Sequence, residues 1–166
     1  GRRGDGARFA VGELVGPRRN KSVFVFGAGE KFNNFGLDGD VYYHEYGHGV
    51  LDRIVPGMLE AVESVYPLAF HEGFGDISAC SITGNSRLGE FASINKLSGK
   101  WEGRNLENKN RYPANVPAPV IKIPEPHYTG LIASGAWWDL QKQIGLQKAH
   151  QLLYQSLRLL PSEMNF

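Results

Sequence analysis

The segment HEYGH at residues 44–48 decides how the rest of this sequence is interpreted. It matches the pattern H-E-x-x-H, in which two histidines four positions apart lie on one face of a helix. We therefore predict that His44 and His48 bind one metal ion and that Glu45 takes a proton from a metal-bound water. The alternative is an amphipathic helix with two solvated histidines, because a pattern with two variable positions also occurs by chance.

The residues around the pattern favour a helix over residues 39–53. Asp38 and Asp40 are N-cap candidates, since a short acidic side chain there accepts a hydrogen bond from a free backbone N–H. Apolar residues recur between the polar ones with the period of a helix that buries one face. Pro56 and Gly57 then end the helix. The segment thus has the local structure that the metal-binding pattern requires.

Composition places the chain among ordinary globular proteins. Its 166 residues are enough for one domain with a hydrophobic core. A net charge of +1 gives no electrostatic reason to expect nucleic acid or a membrane as a partner, and no apolar stretch approaches membrane-spanning length. The single cysteine, Cys80, excludes an intramolecular disulfide and lies in an apolar run, which predicts a buried thiol.

Periodicity and turn residues predict an α+β fold that is mainly α. The stretch before Ser22 is rich in Gly and Arg and is interpreted as a loop. The other predicted elements are a strand over Ser22–Phe26 and helices over Ala69–Ser81, Thr129–Ile144 and Leu146–Leu159. Residues 58–66 are predicted to form a short helical or irregular connection. Residues 86–126 are predicted to be irregular, except for a helical stretch near 88–97.

Two histidines leave a catalytic zinc site short of one protein ligand. A third histidine just behind the pattern would need Gly at position 51 and His at position 54, but these are Leu51 and Ile54. Glu72 is a better candidate, because it follows His48 by 24 positions and the chain can return antiparallel on a second helix. Asp76 lies one turn further on the same face, where it can accept a hydrogen bond from a zinc-bound histidine.

The second helix has two other interpretations. His71 is a rival ligand, but it lies about 100° from Glu72 around the helix, so both side chains cannot face one metal. We favour Glu72 because Asp76 lies on its face. Alternatively, Glu72 and Asp76 are ordinary acidic residues in the first turns of a helix, where the helix dipole favours negative charge.

The H-E-x-x-H pattern followed by E-x-x-x-D resembles the gluzincin metallopeptidases of the thermolysin and fungalysin type. The resemblance implies a zincin-like catalytic domain with a short N-terminal β element, an active-site helix and a C-terminal helical subdomain. It implies one zinc ion bound by His44, His48 and Glu72, with Glu45 as the general base. It also implies a secreted metalloendopeptidase that acts on peptides or proteins.

Two further segments carry the resemblance. Arg104, which opens the segment RNLEN, resembles the arginine that binds the substrate carbonyl beyond the scissile bond; otherwise it belongs to a basic loop. His127, which opens the segment HYTG, resembles the histidine that stabilises the oxyanion. A helix N-terminus suits that role, because it directs an N–H and a positive dipole towards developing negative charge. The alternative is a capping or surface histidine.

The sequence departs from the thermolysin pattern at several supporting positions. Glu63 stands roughly where thermolysin has its second oxyanion tyrosine, and Tyr66 and Tyr128 are candidate substitutes, of which Tyr128 is assigned to substrate binding. Glu125 is the candidate for the acid that supports the oxyanion histidine. Asp40 stands where thermolysin has a calcium ligand, but the partner acid is absent. Asp40 is therefore interpreted as a helix cap, and Ca²⁺ is not supported.

Alternative functions follow from the N-terminal region. It has only about forty residues before His44, and the strand that pairs with substrate in thermolysin has no clear counterpart upstream of Val23. A non-catalytic, zinc-stabilised module that binds another protein is therefore one alternative. A second alternative, an aminopeptidase, keeps the zinc chemistry but changes the substrate; it needs an acidic group for the free α-amine, and Glu63 is the nearby candidate. We expect residues 1–166 to be one catalytic domain, or a fragment cut from a longer precursor, with 1–54 carrying the active-site helix and 55–166 the third ligand.

Overall fold

The structure, a computed structural model, describes residues 7–12, 21–58, 65–115 and 125–160. Two short antiparallel strand pairs accompany four α-helices in this part of the chain. The strands are β1 (Ala7–Gly12), β2 (Lys21–Phe26), β3 (Arg87–Leu88) and β4 (Arg104–Asn105), with β1 paired to β2 and β3 to β4. The helices are α1 (Gly39–Ile54), α2 (Val65–Thr83), α3 (Pro126–Ile144) and α4 (Leu146–Leu157), and a 3₁₀ turn spans Phe35–Leu37.

Helix α1 begins at a hydrogen-bonded acidic pair. Asp38 is its N-cap, and its Oδ1 accepts a hydrogen bond of 3.0 Å from the backbone N–H of Asp40. Its Oδ2 accepts further bonds from Phe91 N (3.1 Å) and Ala92 N (2.7 Å). The Asp40 carboxylate accepts from Gly89 N at 3.1 Å. The prediction of a cap is confirmed for Asp38 but wrong for Asp40, which instead binds the segment that follows β3.

Helix α2 crosses α1 and α3 at glycine contacts. A Cβ on Gly47 of α1 would lie 3.0 Å from Gly75 Cα, and a Cβ on Gly73 would lie 2.8 Å from the Gly130 carbonyl oxygen of α3. Because glycine has no Cβ, the backbones approach more closely than ordinary helix pairs allow. Side chains from α1, α2 and α3 therefore meet within a few ångströms of one another.

Two buried clusters flank these crossings. One joins α1, α2 and α4, and its members are Leu51, Val55, Met58, Phe74, Ile77, Leu153 and Leu157. The other joins α2 and α3 to the β3–β4 pair, and its members are Ala79, Cys80, Leu88, Leu106, Leu131 and Trp138. Cys80 is only 1% exposed, which confirms the predicted buried thiol, and burial raises its pKa.

The fold class is α+β and mainly α, as predicted, but several boundaries differ. The loop predicted before Ser22 is wrong over residues 7–12, because these pair with β2 along their whole length. The helical stretch predicted near 88–97 is also wrong. Leu88 pairs with Arg104, and the turns beyond it bind the Asp38 carboxylate and the Asn95 side chain. None of the described helices is both long and apolar enough to cross a membrane.

Helix α2 starts four residues before the predicted Ala69. Pro67 falls in its first turn, where a residue without a backbone N–H is tolerated because that N–H would have no partner within the helix. The predicted connection over 58–66 lies largely outside the described residues, as does Glu63.

Candidate metal centre

Three buried side chains direct one polar atom each towards a common point. His44 Nε2 lies 3.0 Å from His48 Nε2 and 3.1 Å from Glu72 Oε2, and His48 Nε2 lies 3.6 Å from the same oxygen. A tetrahedral zinc ion with bonds of about 2.0–2.1 Å separates its ligand atoms by about 3.3 Å. Two imidazole nitrogens and a carboxylate oxygen are also ligands that zinc prefers. The donor triangle therefore fits one zinc ion in both size and chemistry.

The outward nitrogens of both histidines have partners of their own. His44 Nδ1 lies 2.9 Å from Asp76 Oδ1, and His48 Nδ1 lies 2.6 Å from His71 Nδ1. Asp76 thus lies within hydrogen-bond distance of the outer nitrogen of a histidine of α1. His71, the rival ligand in the sequence, faces the side of His48 that points away from Glu72. Such outer partners fix which ring nitrogen carries the hydrogen.

Arg104 on β4 contacts the same network from outside. Its Nε lies 2.9 Å and its Nη2 2.6 Å from Asp76 carboxylate oxygens, and Nη2 is 3.4 Å from His44 Nδ1. Asp76 is fully buried, so an ionised carboxylate there requires a charged partner of this kind. The guanidinium predicted to bind substrate is therefore engaged with Asp76 through Nε and Nη2. The prediction made no allowance for this contact.

His127, at the start of α3, places a fourth polar atom, its Nε2, close to the triangle. Its Nε2 lies 3.1 Å from Glu72 Oε2, and one ligand atom each from His44, Glu72 and His127 lie within 4.8 Å of one another. Its Nδ1 contacts the carboxylate of Glu125, which also caps α3 by accepting a bond from Tyr128 N. The predicted proximity of Glu125 to His127 is observed, but the closeness of His127 to the carboxylate of Glu72 was not anticipated.

The remaining predicted site residues differ in exposure. Glu45 is 4% exposed and directly follows His44 on α1, so it is buried one residue from a member of the donor triangle. Tyr128 is 64% exposed on α3. Tyr66 is 44% exposed at the start of α2, and its ring centroid lies 6.5 Å from that of Tyr112. Both tyrosines are thus open to solvent and could contact a ligand at the surface.

The electrostatics of the metal-free centre follow from these contacts. Burial lowers the pKa of His44, but its bonds to Asp76 and Glu72 outweigh this effect and raise the pKa to about 9. Burial raises the pKa of Glu72, yet the two histidines hold it far below its usual value. For Asp76, Arg104 overcomes burial and lowers the pKa to about 2. These shifts favour ionised carboxylates at Glu72 and Asp76 and a protonated His44 ring between them.

This proton makes the stability of the metal-free protein depend on pH. The folded pKa of His44, about 9, exceeds its ordinary value of 6.5, so its contribution is fully present below pH 6.5 and is lost as the pH rises through 9. We expect the unfolding temperature of chelator-treated protein to fall between pH 6.5 and 9. Zinc-loaded protein should lack this decrease, because the metal replaces the proton. A flat or rising curve for the metal-free protein in thermal unfolding would contradict the assignment.

The glycine that leaves room for the His44 ring was not identified from the sequence. A Cβ on Gly75 would lie 2.6 Å from His44 Nδ1 and 2.7 Å from its Cε1, so only glycine leaves room for this ring. The available signal was that Gly73 and Gly75 both interrupt a strongly predicted helix, which commonly has a packing reason.

Comparison with known proteins identifies the family. The profile of the fungalysin metallopeptidases (M36) matches residues 5–117, which is more than half of the chain. The match includes His44, Glu45, His48, Glu72 and Arg104 but ends before His127. No curated protein and no solved structure matches the chain. The family is zinc-dependent and acts on peptide bonds, which agrees with the donor triangle. The predicted resemblance is therefore confirmed, and the chain belongs to the fungalysin metallopeptidase family.

Proposed function

We propose that this chain is a zinc-dependent endopeptidase whose metal is held by His44, His48 and Glu72. The observation that carries the proposal is the donor triangle with edges of 3.0–3.6 Å. When bound, zinc would polarise the scissile carbonyl and lower the pKa of the attacking water. Asp76 and Arg104 would keep His44 correctly oriented, since outer partners of zinc histidines set their tautomer and position.

Glu45 is the proposed general base. It follows His44 on α1 and is almost fully buried, so bulk solvent weakens its interactions with the reacting groups little. It would take a proton from the attacking water and later give it to the leaving amine. The same carboxylate thus serves both halves of the reaction.

His127, Arg104 and Tyr128 are proposed to bind the reacting peptide. His127 is 41% exposed, stands at the N-terminus of α3 and is oriented by Glu125, so an Nε2–H can be directed at a developing oxyanion. Arg104 uses Nε and Nη2 for Asp76, so its Nη1 is the atom proposed to bind the carbonyl beyond the scissile bond. Tyr128 is exposed on the same helix as His127 and would contact substrate from that side.

Replacement of His127 tests whether this residue stabilises the oxyanion or binds the metal. His127→Ala should lower kcat by about 10²–10³-fold, the usual effect of losing one oxyanion donor, while zinc content stays at one equivalent. His150→Ala on α4 is the matched control and should leave both unchanged. Loss of zinc from His127→Ala, measured by metal analysis after dialysis, would contradict the oxyanion role and identify His127 as a ligand.

We also propose that the described helices act as one catalytic unit. Residues up to 54 supply His44, Glu45 and His48, and the part after 55 supplies Glu72, Asp76 and the groups that bind substrate. Peptides or proteins would be the substrates, and secretion, which is typical of the family, would be the location.

A peptide-cleavage assay tests the proposed function. A fluorogenic peptide blocked at both ends should be cleaved, cleavage should stop with a chelator, and added zinc should restore it. An aminopeptidase would cleave only a peptide with a free N-terminus. Casein serves as a protein substrate in the same assay. If the zinc-loaded, folded protein cleaves neither of the two peptides nor casein, the endopeptidase proposal is wrong and a non-catalytic zinc-stabilised module is favoured.

A further inference from the structure

His71 contacts the candidate metal centre, yet the proposed function gives it no role. It is fully buried on α2, and its Nδ1 lies 2.6 Å from His48 Nδ1. The two rings are close, with centroids 4.8 Å apart and planes inclined by 31°. Its other nitrogen, Nε2, has no hydrogen-bond partner among the described residues. Among the described residues, His48 is therefore the hydrogen-bond partner of the His71 ring.

At this distance, the two Nδ1 atoms must share one hydrogen. Two hydrogens would clash between them, and none would bring two lone pairs together. If His48 Nε2 donates its lone pair to a metal, the hydrogen of the neutral His48 ring is on Nδ1. His71 Nδ1 must then be the acceptor, and the hydrogen of His71 must be on Nε2. The opposite arrangement would place a hydrogen on His48 Nε2 and block metal binding.

We propose that His71 is a positioning residue that accepts the Nδ1–H of His48 and so holds His48 in the tautomer that binds zinc. This inference rests on the proposed zinc site. His71 would do for His48 what Asp76 does for His44, so that each histidine of the metal pair has one outer acceptor. A neutral acceptor suits this place, because His71 is fully buried and an uncharged ring is less costly to bury than a charged one.

The difference between two nearly isosteric substitutions isolates this role. In His71→Asn, the amide oxygen can occupy the position of Nδ1 and accept the bond, whereas in His71→Leu a methyl group of similar size cannot. Loss of an outer partner of a metal ligand typically weakens metal binding by 10–100-fold. We expect such a loss in His71→Leu and an affinity within a few-fold of wild type in His71→Asn. A merely structural role would not distinguish an oxygen from a methyl group in this way.

The experiment is zinc titration against a competing chelator on the full chain, with the fold of each metal-free variant checked by circular dichroism. His150→Leu on α4 is the matched control. His150 is partly buried and, like that of His71, its Nε2 lacks a hydrogen-bond partner among the described residues, so the zinc affinity of this variant should not change. Nitrogen-15 NMR of zinc-loaded wild type should place the ring hydrogen of His71 on Nε2. This measurement stands even if His71→Leu fails to fold.

The outcomes separate the inference from the function on which it rests. If wild type binds one zinc ion and His71→Leu binds it equally well, the role of His71 is overturned and the zinc site stands. A hydrogen on Nδ1 of His71 in zinc-loaded protein would overturn it as well. A wild-type chain that binds no zinc would overturn both proposals.

Discussion

Glu45→Gln is expected to lower the rate of peptide cleavage by at least about 10²–10⁴-fold, the usual contribution of a general base, while one zinc ion stays bound. Gln has the size of Glu but cannot accept the proton of the attacking water. Because Glu45 is not part of the donor triangle, metal affinity should remain close to that of wild type. In this variant kcat is therefore expected to fall while the zinc content stays at one equivalent.

Glu102→Gln is the matched control for this variant. Glu102 pairs with Lys31 at the surface, at 2.8 Å, and is assigned no part in the proposed chemistry. The Glu102→Gln variant should cleave peptides at the wild-type rate. If Glu45→Gln loses zinc together with activity, Glu45 supports the metal or the fold, and the assignment as general base is wrong.

Gly75→Ala is expected to weaken zinc binding by more than about 100-fold, although alanine is the better helix former. In an unobstructed helix the exchange would stabilise the protein by about 1 kcal/mol. Here the new Cβ would meet Nδ1, Cε1 and Cγ of the His44 ring at 2.6–3.1 Å, so the ring must move. Overpacking of this kind costs about 1–3 kcal/mol, and it also removes a ligand from the donor triangle. The steric effect therefore exceeds the gain in helix propensity.

The effect of Gly75→Ala on zinc affinity should be larger than the 10–100-fold loss that is typical of an outer partner. Gly39→Ala is the control, because a Cβ on this residue of α1 meets only a Tyr43 ring atom at 3.9 Å, which is ordinary van der Waals contact. Zinc titration of both variants checks the prediction. Unchanged affinity in Gly75→Ala would mean that the His44 ring does not lie over Gly75 in the metal-bound protein.

The sequence could predict those features of the centre that depend on spacing along one helix. The four-residue spacings of His44 with His48 and of Glu72 with Asp76 are local, and in the structure each pair shares a helix face as expected. Helical periodicity was therefore enough to predict which of these side chains lie on the same face of a helix.

Contacts between distant segments could not be predicted in this way. Arg104 lies on a two-residue strand whose position depends on pairing with Leu88, so nothing local indicated that it would meet Asp76. The glycine crossings depend on the close approach of helix backbones, which periodicity does not describe. The helix predicted near 88–97 failed for a similar reason. The backbone N–H groups of Phe91 and Ala92 donate to a distant carboxylate, that of Asp38, and this holds the segment in turns.

The most direct test of the zinc site is X-ray absorption spectroscopy of the zinc-loaded wild type beside Glu72→Ala. Wild type should hold one zinc ion, bound by two imidazole nitrogens at about 2.0–2.1 Å and by oxygen ligands at about 2.0–2.2 Å. Glu72→Ala should lose most of its zinc under the same conditions. A wild-type spectrum with three imidazole nitrogens, or full zinc occupancy in Glu72→Ala, would contradict the assignment of His44, His48 and Glu72 as the metal ligands.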